Sequence, residues 1–184
     1  MDPRPGGARN SLRGGIVCLA LLILPGATTH GQDLTEAILG DLADVQGKTL
    51  ALAEAMPEMS FDWRPGEGVR SFGEVLMHLT GANFGILYRI GAVPPDSVPA
   101  EWYQDPESVV GKDVVIQSLR VSSTWAWSVV EGTPVNSYGD PAPNAGPETS
   151  VLSQLLLLQN HGHEHLGQLI AYARMNGVVP PWSR

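Results

Sequence analysis

The sequence predicts an all-α fold, a four-helix bundle, and three observations carry that prediction. Apolar residues recur near a 3.6-residue spacing in four long stretches, and the segments between them are dense in glycine and proline. No convincing run alternates apolar and polar residues as a strand would. Four amphipathic helices with no sheet to cover bury their apolar stripes against one another, which makes a bundle.

In the first stretch, residues 34–56, the stripe is Leu34, Ile38, Leu42, Val45, Leu52 and Met56, and Pro57 stops it. The connector MPEMSFDWRPGEGVR holds two prolines and two glycines and forbids regular structure. Ser71 with Glu74 three residues later is a capping-box pattern, so a second helix is expected over about residues 72–90. Its stripe is Val75, Leu76, Leu79, Phe84, Ile86 and Leu87, and Gly91 and Pro94-Pro95 end it. Asp105-Pro106 reads as an N-cap followed by proline at the first helical position. A third helix is therefore expected from residue 106 to about 131, striped by Val109, Ile116, Leu119, Ala126 and Val130. The next segment, GTPVNSYGDPAPNAGPE, is loop of a length that suits covering or bordering a site. Thr149 or Ser150 caps the fourth helix, LSQLLLLQNHGHEHLGQLIAYARMN, with Gly177 as the residue just past its end and Pro180-Pro181 barring continuation.

At 184 residues and 43% hydrophobic content the chain suits one domain. The net charge of -8 and the lack of a Lys/Arg stripe argue against a nucleic-acid partner, since phosphate neutralisation needs basic surface. Arg4, Arg9 and Arg13 precede the apolar run IVCLALLIL, then Pro25-Gly26 and ATTHG. That order reads as a secretory signal over residues 1–31, cleaved near Gly31, with an uncleaved anchor or a misassigned start as the competing reading; the apolar run is much shorter than the roughly 20 residues of a spanning helix. Export to the periplasm or medium is expected, with no stable membrane insertion after cleavage. The single cysteine, Cys18, lies inside the leader, so disulfides and cysteine nucleophiles are excluded from the mature chain.

Three of the five histidines fall within QNHGHEHLGQL. His161 and His165, one turn apart, share a helix face about 40° wide, and His163 points nearly the opposite way. That face also carries Gln154, Leu158, Gln168 and Tyr172. Neutral imidazoles at this spacing suit metal ligation, but hydrogen-bonded histidines at the edge of a core fit the spacing as well. With His30 in the leader, His78 on the second helix is the remaining candidate for a third ligand, and Gly81 and Ala82 nearby leave room, although a lone histidine on a buried helix face also fits a hydrogen-bonded core residue. Two bundle helices facing one interior favour a shared metal. The order HGHEH also fits H-x-x-E-H, a peptidase pattern, yet no Asp or Glu follows His165 to complete that ligand set.

Two stretches resemble the DinB/YfiT-like superfamily of metal-binding four-helix bundles. MPEMSFDWRPGEGVRSFGEVLMHLTGAN is similar to its first-helix exit and second-helix histidine, and HGHEHLGQLIAYARMNGVVPPWS to its H-x-x-x-H-x-G-Q-x-x-x-Y-x-R-x-x-G-x-x-P-P ending. The resemblance covers roughly residues 33–183. It implies that His78, His161 and His165 hold a divalent metal ion, zinc or nickel, with positions left for water. Gln168, Tyr172, Arg174 and Gly177 match motif positions of structural character. Leu166 departs from the pattern, because relatives place Arg or Tyr there.

These residues lead to a metal-dependent hydrolase acting on a small molecule through a metal-bound water, with Glu164 as candidate base or as acceptor for a ligand N–H. Glu164 as an ordinary solvated glutamate is the competing reading, and Glu74 is explained by its cap. A non-catalytic metal-binding module, or a thiol S-transferase like some relatives, stands beside the hydrolase. Asn83 and Tyr88 could line a pocket or pack at the core edge, whereas Trp63, Trp102, Trp125 and Trp127 suit the core. A homodimer is compatible with the sequence.

Overall fold

The structure is a computed structural model that describes Met1 and residues 29–183. The expected leader, residues 1–31, therefore lies outside the described residues apart from its first residue and its last three. Among the described residues there is no β-strand, and four long helices form the bundle: α1 (Thr29–Ala55), α2 (Phe72–Arg89), α4 (Lys112–Gly132) and α5 (Val151–Met175), with a single helical turn, α3 (Glu101–Gln104), in the crossing between α2 and α4. Among the described residues no helix is long and apolar enough to cross a membrane.

The caps explain where the helices begin and end. Ser71 accepts from the Glu74 amide while the Glu74 carboxylate accepts from the Ser71 amide, so the predicted capping box is made at α2. Ser150, rather than Thr149, caps α5 by accepting from the Ser153 amide. At the far end Gly177 takes φ +74°, and Val178 N–H reaches back to Ala173 O, closing the helix in a Schellman arrangement.

Two expectations are corrected. The third long helix does not start at Pro106, because Asp105 makes no side-chain cap bond and Pro106–Ser108 is one 3-10 turn. The β-branched Val109 is extended there, and Gly111 at φ +94° turns the chain into α4 at Lys112. The buried stripe accordingly runs through Val115, Ser118, Leu119, Ser122, Ala126 and Val130, leaving Val109 and Ile116 only half-buried. Leu34 is 39% exposed, and the apolar stripe of α1 begins instead at Ile38.

Each long helix packs chiefly on two others, α1 on α4 and α5, and α2 on α4 and α5, so the consecutive helices α1 and α2 stand diagonally. The core divides into two apolar clusters. One gathers Leu52, Met56, Phe72, Leu76, Val115 and Leu169; the other gathers Ile38, Leu42, Leu87, Ala126, Leu155 and Leu158. The buried interior also holds Thr49, Thr80, Asn83, Ser118 and Ser122, with Asn83 donating to Ser122 Oγ. Trp63, Trp102 and Trp125 pack on the apolar clusters, whereas Trp127 lines an outer groove between α1 and α4 beside Gly47 and Arg120.

The long loop before α5 covers the end of the bundle at which α2 stops. Its Asn144 donates from backbone and side chain to Arg89 O and Tyr88 O, satisfying carbonyls left open at the α2 C-terminus. The segment that runs beside the middle of α2 is the crossing that contains α3. Gly81 makes this possible, because a Cβ there would come within 2.9 Å of Pro106 Cγ.

Candidate metal centre

His78 comes from the middle of α2, and His161 and His165 come from one face of α5; the packing of these two helices brings the three rings together. Ring centroids are 5.0 Å apart for His78 and His161, 4.8 Å for His78 and His165, and 4.5 Å for His161 and His165. One ligand-capable nitrogen from each lies within 4.8 Å of the others. The Nε2 atoms of His78 and His161 are 3.1 Å apart. Two nitrogens bound to one tetrahedral zinc at about 2.0–2.1 Å would be about 3.3 Å apart, so this pair already has nearly the spacing of ligands to a common ion.

The donor set also fits a cation in its protonation. Burial, aided by the neighbouring Arg70 charge and the other two imidazoles, lowers the His78 pKa from 6.5 to about 4. Burial likewise lowers that of His161, with His165 adding to the effect and Glu164 opposing it. Near neutral pH these two rings are therefore uncharged and can offer lone pairs. His165, only 8% exposed, has its orientation set by a relay. Gln168 Nε2 donates to Tyr172 Oη at 2.8 Å, which leaves Gln168 Oε1 to accept, and His165 Nδ1 lies 2.8 Å from it. An amide oxygen only accepts, so Nδ1 carries the proton and Nε2 is left free to ligate. Gln168 and Tyr172 thus have a reason to occupy their motif positions.

The remaining expected residues fall elsewhere. His163 turns away and meets Asp41 of α1 at 3.0 Å, beside Gln159, which donates to the same carboxylate. Asn83 is buried and bonded to Ser122, and Tyr88 is exposed near the end of α2. Glu164 is exposed and close enough to His161 to favour its protonated form. The acidic group nearest His78 was not anticipated: Glu107 Oε1 lies 3.8 Å from His78 Nδ1 and accepts from Arg70 Nε at 2.6 Å. Read as the first turn of a long helix, the stretch around Glu107 carried no signal of that contact.

The fold and site define a helical bundle with a three-histidine centre between two of its long helices. The chain belongs to the DinB superfamily, whose family model matches residues 41–169, a span that includes all three histidines. A comparison with curated proteins found no match. Family membership and the three neighbouring histidines together suggest divalent-metal binding.

Alanine substitutions should separate the histidines into two groups. His78→Ala, His161→Ala and His165→Ala should each sharply reduce metal content after reconstitution with zinc or nickel and abolish the rise in melting temperature that the metal produces, because each removes one of three bonds. His163→Ala should bind metal like the parent. Elemental analysis paired with melts with and without chelator decides it, and loss of metal in His163→Ala with retention in His161→Ala would refute the assignment.

The metal-free protein should lose stability as pH falls from about 6.5 toward 4. In that window the unfolded chain binds a proton at His78 that the folded chain refuses, so acid favours unfolding. Melts of the metal-free parent and of His78→Ala across the window test this; an equal pH slope in both would exclude His78 as the source.

Proposed function

We propose that this protein is a divalent-metal-dependent hydrolase of a small molecule, with zinc or nickel held by His78, His161 and His165. The observation that carries the reading is the ligand count: among the described residues the cluster consists of three histidines, with no carboxylate or cysteine as a fourth member. Structural zinc sites are closed by four protein ligands, whereas catalytic ones keep a position open. A bound divalent ion supplies Lewis acidity and acidifies water toward neutral pH.

The chain's own groups orient the ligands and handle protons. Gln168 holds the His165 tautomer, with His165 Nδ1 facing its Oε1. Glu164 is the base in this reading, supported by its exposure and its electrostatic reach to His161. The protein reconstituted with zinc or nickel should hydrolyse at least one member of a panel of small esters, amides and lactones. Chelator and each ligand substitution should abolish turnover, and Glu164→Gln should lower kcat while retaining the metal. Stoichiometric metal without turnover of any panel member would instead favour a non-catalytic binding module.

We also propose that the chain is exported and its leader removed near Gly31. In support, the first buried side chain described in α1 is Ile38, so cleavage there would leave the core intact. Intact-mass measurement of the native protein should find a start near Gln32; recovery of Met1 on a cytoplasmic product would end the proposal.

A further inference from the structure

We propose that Glu107 is a positioning residue for His78, holding the ring so that its Nε2 faces the metal; the inference rests on the metal-binding reading above. The geometry starts from the ring. His78 Nε2 is directed at His161 Nε2, so Nδ1, on the other side of the imidazole, is directed outward, and Glu107 Oε1 stands 3.8 Å from it. A neutral imidazole has one lone pair and one N–H, and for Nε2 to ligate, the hydrogen must sit on Nδ1. A carboxylate beside Nδ1 favours that tautomer and fixes the ring's angle. The gap is longer than a hydrogen bond, and a shift of about 1 Å closes it. Both side chains have freedom to make it, being 28% and 40% exposed.

His165 provides an internal parallel. Its Nδ1 meets Gln168 Oε1 at 2.8 Å, so two of the three rings have an oxygen acceptor facing the nitrogen that does not point into the centre. For His165 the acceptor comes from the same helix. His78 receives its acceptor from the crossing between α2 and α4, and the structure contains a device for holding that crossing in place. Pro106 sits against Gly81, one turn beyond His78, where a Cβ would lie 2.9 Å from Pro106 Cγ and 3.6 Å from Trp102 O. Any larger residue at 81 pushes the crossing, and Glu107 with it, off α2. Arg70 then grips the same carboxylate oxygen at 2.6 Å. It is the packing of Pro106 on Gly81 that keeps Glu107 on the outer side of His78, and Glu107 is not a member of the ligand cluster.

A simpler role must be distinguished, in which Glu107 only tethers the crossing through its ion pair with Arg70. Under that alternative, Glu107→Ala and Arg70→Ala behave alike. Under the proposal they differ, because Arg70→Ala leaves the carboxylate beside His78.

The experiment uses the full chain and zinc alone, with affinity read by competition against a chromophoric chelator. The tautomer of each ring is read by long-range imidazole ¹⁵N NMR in the metal-free and zinc-loaded protein, and melting curves establish that each variant folds. Glu107→Ala should weaken zinc binding about 10–100-fold, the range found when outer-shell partners of metal ligands are lost. It should also move His78 from a single Nδ1–H tautomer to a mixture, with His165 unchanged. Glu107→Gln keeps an oxygen acceptor and should recover most of the affinity. Gly81→Ala should resemble Glu107→Ala, and Arg70→Ala should stay near the parent. Parental affinity and an unchanged His78 tautomer in Glu107→Ala would overturn the proposal, as would an equal loss in Arg70→Ala. Failure of the parent itself to bind zinc would overturn the metal-binding reading and this inference with it, a result distinct from parental binding that is indifferent to Glu107.

Discussion

Three imidazole rings lie with centroids 4.5–5.0 Å apart where α2 packs on α5, and that closeness disfavours charge on His78 and His161. Desolvation and mutual repulsion both push protons off His78 and His161, so the contact selects the state in which lone pairs are available. Much of the surrounding structure serves to keep α2 and α5 at this separation. Leu76 and Leu79 of α2 pack in one cluster with Leu169 of α5, and Leu87 packs in the other with Leu155 and Leu158, so apolar contacts hold the two helices on either side of the site.

The helix that carries His161 and His165 is supported from behind by α1. Gly162, between His161 and His163, lets Val45 approach to where an added Cβ would already be in contact at 3.4 Å. Asp41 of the same helix receives Gln159 and meets His163, and Gln159 also reaches Ile38 O. A polar face on α5 opposite His161 and His165 thereby ties the helix to α1 without involving these two histidines. Inside the bundle, next to these helices, a small cavity of about 20 Å³ is lined by Gln46, Thr49, Asn83, Leu79 and Leu158. Among the described residues Gln46 Nε2 and Thr80 Oγ1 are buried without a hydrogen-bond partner. The interior is thus less completely satisfied than its two apolar clusters would suggest, since buried polar atoms are ordinarily paired.

The connectors do specific structural work at helix ends. Lys112, the first residue of α4, donates to Glu54 O and Met56 O and so satisfies carbonyls at the end of α1. Asn144 does the same for α2. The first connector folds back as well, with Gly73 N–H donating to Phe61 O at 2.8 Å and Trp63 standing edge-on to Tyr172. Tyr172 in turn takes the Gln168 amide that orients His165, so the first connector is linked by contacts to the three-histidine cluster.

What was legible in the sequence was what local periodicity and capping encode. The α2 boundaries, the Ser71 and Glu74 box, the α5 stop at Gly177, and the shared face of His161 and His165 each depend on residues within a turn or two of one another. The exclusion of His163 follows from the same geometry, and the family resemblance rested on residues clustered in two short stretches. Tertiary structure decided what depends on distant partners. That α1 stands diagonal to α2, that Leu34 escapes the core and that Val115 rather than Ile116 is fully buried are consequences of how four stripes share one interior. The start of α4 was misread because an Asp-Pro pair is a permissive signal, and the extended Val109 with the positive φ of Gly111 overrode it. Glu107 stands 3.8 Å from His78 where the crossing packs on Gly81, a contact between chain segments about 25 residues apart that no helical or strand period can reveal.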